Sequence, residues 1–88
     1  RVQRKLRQMG TQYGWPDLEI FVPGDQSRVG ISTSIFIELK RPKGGKLNAN
    51  QEEMRSRLLL AGCHWGLARS IEQVHEILEP LVKLRAGV

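Results

Sequence analysis

Apolar and polar positions alternate along this chain in two distinct rhythms. In residues 1–9, Val2, Leu6 and Met9 recur at i, i+4 and i+7, the stripe of an amphipathic helix that Gly10 can end. Gly14-Trp15-Pro16 breaks any helix, because the residue before a proline avoids the helical region and Pro16 has no N–H. From Asp17 to Val22, Leu18, Ile20 and Val22 alternate with Asp17, Glu19 and Phe21, which predicts a half-buried strand. Pro23-Gly24-Asp25 supplies turn chemistry. A second strand is predicted over Ser34–Lys40, with Ile35, Ile37 and Leu39 on one face and Phe36, Glu38 and Lys40 on the other. The two strands are expected to pair as an antiparallel hairpin.

Beyond a glycine-containing connection, Asn48 is a good helix N-cap and Gln51 stands at the third helical position, as a capping box requires. The helix should run to about Ala61, with Met54, Leu58 and Ala61 inward and Gly62 as its left-handed stop. Cys63 to Ala68 reads as a third, short strand. Ser70-Ile71-Glu72-Gln73 opens a last helix with a second capping box and the apolar stripe Val74, Ile77, Leu78 and Leu81, which Pro80 should kink or restart. The fold class that follows is α/β, an α+β arrangement with a mixed sheet in the order αββαβα, forming a single domain over residues 1–88.

Size and charge narrow the function. A chain of 88 residues and 10.0 kDa has room for one core and no separate cofactor domain. No apolar run approaches the roughly 18 residues of a membrane span, so no membrane partner is expected. A lone cysteine, Cys63, cannot make an internal disulfide or a paired-cysteine zinc site, which fits a reducing, cytoplasmic setting. The net charge is +5, and it is unevenly placed. Arg1, Arg4, Lys5 and Arg7 stand in residues 1–16 without an acid, and Lys40, Arg41, Lys43 and Lys46 cluster around Glu38, whereas Asp17, Glu19 and Asp25 lie between these two basic segments. Bases bordering a small acidic cluster suit a polyanion held next to a metal site. A solvated surface kept for solubility is the plainer reading of the same charge.

Asp17, Glu38 and Lys40 carry the chemistry. Glu38 and Lys40 are two apart in one strand and share a face. If paired residue numbers sum to about 55 or 57, Asp17 joins them there, and a one-residue slip would place it on the opposite face from Glu38. Two adjacent carboxylates repel unless a cation lies between them, and hard oxygen donors suit Mg²⁺ or Mn²⁺. Such an ion with a neighbouring lysine is the equipment of phosphodiester hydrolysis.

The string Gly14-Trp15-Pro16-Asp17-Leu18, followed after an interval by Glu38-Leu39-Lys40, resembles the PD-(D/E)xK nuclease signature. Its continuation, from Pro42 through Gly44-Gly45-Lys46 to Gln51, then Leu60-Ala61-Gly62 and Ala68 to Gln73, resembles the virus-type replication-repair nuclease (VRR-NUC) branch over about residues 10–80. The resemblance implies a restriction-endonuclease-like core and a metal-dependent DNA endonuclease. In it, Asp17, Glu38 and the carbonyl of Leu39 would be metal ligands, Lys40 the catalytic lysine, and Gln51 a residue facing the site. Arg4, Lys5, Arg41, Lys43 and Lys46 would hold DNA phosphates. Compact members of this kind resemble phage Holliday-junction resolvases, which implies branched DNA as substrate, a homodimer with two sites, and a bacterial or phage-infected host cytosol. Relatives often carry a glutamate in the N-terminal helix, whereas residues 1–16 contain no acid. That residue lies upstream of Arg1 or the site does without it.

Other residues keep plainer readings. A capping box accounts for Gln51 without catalysis, with equal weight. Glu19 shares the Asp17 face and is expected to be a solvated neighbour, with a place in the metal shell as the alternative; His64 is expected to be a strand residue near a sheet edge, and Cys63 a small core residue. Trp15 either packs over the strand start or stacks on a base. The phosphate-loop consensus is absent around Gly44-Gly45-Lys46, so no nucleotide cofactor is expected. The competing functional class is a nucleic-acid-binding module of a larger DNA repair or replication protein, non-catalytic or leaving substrate choice to other domains.

Overall fold

A computed structural model describes residues 14–83, so the expected helix over residues 1–9, with Arg4 and Lys5, lies outside the described residues. β1 (Leu18–Val22) runs antiparallel to β2 (Thr33–Leu39), with Leu18 opposite Ile37 and Val22 opposite Thr33. β3 (His64–Ala68) lies parallel to β2 on its other side, Ile35 opposite His64 and Leu39 opposite Ala68. A parallel pair needs a crossover, and helix α1 (Ala49–Leu60) supplies it. Helix α2 (Ile71–Leu78) follows β3. The described residues form a small mixed α+β domain in the order ββαβα, with a three-stranded mixed sheet and two helices. None of their helices is long and apolar enough to cross a membrane.

The central strand is covered on both faces. Ile35 and Ile37, fully buried, join Val22 and Ala68 on the face packed by Val74, Ile77 and Leu78 of α2. Phe36 points the other way and joins Met54 and Leu58 of α1, with Trp15, Cys63 and Trp65 around them. Burying each isoleucine contributes about 1.5–3 kcal/mol. Gly66 of β3 lets α2 approach closely, since a Cβ there would stand 2.7 Å from Cδ1 of Ile77.

Local chemistry sets the element ends. Asn48 Oδ1 accepts the Gln51 N–H at 2.8 Å and Gln51 Oε1 accepts the Asn48 N–H at 3.0 Å, the reciprocal box expected. At the other end of α1, Gly62 (φ 88°) donates to Leu59 and Cys63 to Leu58, a Schellman motif. Ala61, expected to face inward, is exposed because it is the C-cap and the inner stripe ends at Leu58. The second capping box does not close as expected. Ser70 Oγ accepts the Gln73 N–H at 3.1 Å, but Gln73 Oε1 reaches one residue further back, to the Arg69 N–H at 2.6 Å. α2 stops at Leu78, two residues before Pro80, and the chain folds back so that Val82 bridges to Ser27.

Candidate active site

The observed pairing sums to 55, so Asp17, immediately before β1, stands at the next position opposite Glu38, on the sheet face that α1 covers. Its carboxylate is tied down: Oδ2 accepts the Leu39 N–H at 2.9 Å. A strand residue's N–H and C=O point to the same side, so the Leu39 carbonyl faces the same edge. The preceding segment holds Asp17 in place. Pro16 is buried, and Trp15 meets Phe36 edge-to-face at 5.6 Å and 84°. Gly14, with φ 87°, presses against the first turn of α1, where a Cβ would stand 2.2 Å from the Asn50 carbonyl oxygen. Only glycine meets both demands, so helix start and Asp17 are positioned together. Trp15 is half-buried and packs against the core on this face.

Glu38 is 4 % exposed. Gln51 Nε2 donates to its Oε2 at 3.0 Å, while Gln51 Oε1 accepts from Lys40 Nζ at 3.1 Å as well as from the Asn48 N–H. Lys40 Nζ stands 4.0 Å from the same Glu38 oxygen. The capping box expected of Gln51 is present, and the same side chain bridges Glu38 to Lys40. Burial, foremost, and then the hydrogen bond and charge of Asp17 push the Glu38 carboxyl up to about 7, against the opposing charge of Lys40. Such a carboxyl pair is short of positive charge, and its oxygen-only donors fit a hard divalent cation. Among the described residues no group of three or more His, Cys, Asp and Glu side chains converges. Two carboxylates and the Leu39 carbonyl would leave most positions on the ion to water, as Mg²⁺ prefers.

The expected phosphate contacts Arg41, Lys43 and Lys46 are exposed on the connection from β2 to α1. Sequence reasoning missed the side chain that holds this connection: Arg69 donates to the carbonyls of Arg41, Gly44 and Gly45. It misjudged Glu19 too. Glu19 is half-buried on the Asp17 face, its Oε1 is buried without a hydrogen-bond partner among the described residues, and burial raises its carboxyl above the usual range. Its cross-strand neighbour is Phe36. His64 is a half-buried residue of β3 opposite Ile35.

Comparison with protein-family models, with curated proteins and with solved structures gives no match.

Proposed function

We propose that this chain is a metal-dependent, structure-selective DNA endonuclease of the VRR-NUC branch of the PD-(D/E)xK nucleases, with a restriction-endonuclease-like core, cutting branched DNA as a homodimer. The observation that carries this reading is the convergence of Asp17, Glu38 and Lys40 on one sheet face, where Gln51 bridges Glu38 to Lys40 and the Leu39 N–H holds Asp17. Asp17, Glu38 and the Leu39 carbonyl would hold Mg²⁺ or Mn²⁺. When bound, that ion supplies an acidified water and offsets charge on a phosphoryl oxygen.

The chain's own residues do the rest. Gln51 holds the Lys40 ammonium beside Glu38, where it can orient an attacking water or stabilise charge developing on the phosphate. Its second hydrogen bond fixes the Glu38 carboxylate in place. Exposed Arg41, Lys43 and Lys46, on the connection that begins next to Lys40, bind backbone phosphates, so affinity falls as salt rises. These contacts carry no sequence information, which favours recognition of DNA shape.

The test incubates the protein with end-labelled four-way junction and linear duplex in Mg²⁺, Mn²⁺ or EDTA, beside Asp17→Ala. Junction cleavage that needs metal and Asp17 is expected. Failure of both metals to support cleavage of any branched or linear substrate, or full activity of Asp17→Ala, overturns the reading. Light scattering on the intact chain tests the dimer.

A further inference from the structure

We propose that Arg69 is a positioning residue of this site, locking the basic glycine loop of residues 41–46 along Lys40; its functional consequence rests on the nuclease reading above. Arg69 directly follows β3, and its backbone is held from α2 by Gln73. Its guanidinium spans back to the connection between β2 and α1. One terminal nitrogen donates to the carbonyls of Arg41, at 3.0 Å, and Gly44, and the other to Gly45 at 2.9 Å. A planar guanidinium can serve three carbonyls at once, whereas a lysine ammonium is a point donor on a flexible stem.

The loop needs such a tie. Gly44 and Gly45 both hold positive φ, 72° and 68°, and glycine loses more backbone entropy on ordering than any other residue. With the loop held, Gly45 lies against the stem of Lys40, close enough that a Cβ would stand 3.6 Å from Lys40 Cδ. Arg41, Lys43 and Lys46 are left exposed. Because both terminal nitrogens of Arg69 are engaged by backbone carbonyls, its effect on DNA passes through the loop. Arg69 thus supports the catalytic lysine and the phosphate-binding bases together.

The experiment compares the parent with Arg69→Gln and Arg69→Lys, alone and in a Lys43→Ala/Lys46→Ala background. In Arg69→Gln, backbone ¹⁵N order parameters over residues 41–46 are expected to fall from about 0.85, the rigid range, to below about 0.6, while those of β2 and β3 stay unchanged. Affinity for a labelled four-way junction, read by anisotropy in EDTA, should fall about fivefold, and Arg69→Lys should restore only part of it. In the double-alanine background the same Arg69→Gln change should cost less than about twofold, because the loop's cations are already gone. Unchanged order parameters over 41–46, or a loss that adds in full to that of the lysine substitutions, overturns the proposal. If the parent binds junction DNA but cleaves none with either metal, the nuclease reading falls and the order-parameter and coupling results still decide the role of Arg69. If the parent neither binds nor cleaves DNA, both fall.

Discussion

Replacing Glu38 by glutamine separates what the site does from what it costs the fold. The Glu38 carboxyl is pushed from 4.5 up to about 7, chiefly by burial and then by Asp17. Between those two values the folded chain binds more protons than the unfolded one, so this group's contribution to stability falls as pH rises through that window and is level above it. The full difference corresponds to about 3 kcal/mol, the cost of keeping Glu38 ionised beside Asp17 without a cation. Glutamine has the same shape, can still accept the Gln51 Nε2–H bond, and can donate toward Asp17. In EDTA, Glu38→Gln should therefore match the parent near pH 4.5 and exceed it by about 1–3 kcal/mol at pH 8. Urea unfolding followed by tryptophan fluorescence reads this directly, since Trp15 and Trp65 both pack in the α1-side core. Comparing two proteins that share every other titrating group, Glu19 included, isolates Glu38. Mg²⁺ should stabilise the parent and narrow the gap, because a ligand that binds only the folded state raises its stability. The variant should cut no DNA. A variant no more stable than the parent at pH 8, or a gain that does not shrink on acidification, refutes the reasoning.

Three further outcomes are expected. Gly14→Ala should destabilise the chain by about 2–3 kcal/mol, through a left-handed alanine and the contact with the Asn50 carbonyl, as a shifted urea midpoint. Asn48→Ala and Gln51→Ala should each lose about 1 kcal/mol of cap, measured in the same way, but only Gln51→Ala should also lower kcat at least about tenfold, because only Gln51 holds Lys40 and Glu38. At subsaturating Mg²⁺, cleavage by the parent should rise with pH as Glu38 loses its proton, and a Mg²⁺ requirement that does not fall between pH 5.5 and 8.5 would contradict Glu38 as a ligand.

The alternation of Leu18, Ile20 and Val22 against Ile35 and Ile37 was enough to read the hairpin, because a register that buries one face is strongly specified. Sums of 55 and 57 bury the same face and both stayed open, and the structure takes 55, which sets Asp17 opposite Glu38. The Asn48 cap, Gly62 stop and Val74–Ile77–Leu78 stripe were equally legible, being short-range patterns within one element. Ala61 fits the same helical period as Leu58 but lies at the cap, and period alone does not say where burial ends. Gln73 shows a similar limit: its spacing from Ser70 fits a capping box, yet its side chain chose the Arg69 N–H.

By itself, the sequence determined which of the described segments are strands and helices, which strand faces are apolar, and that Glu38 and Lys40 share a strand face, because periods of two and 3.6 residues and local caps are written in neighbouring positions. Tertiary structure alone decided that Gln51 serves cap and site together, that Glu19 is half-buried, that Gly14 docks on α1, and that Arg69 holds a loop at least 24 residues away. Each of these depends on which element packs over which, and no local pattern encodes a carbonyl that another element brings within hydrogen-bond reach.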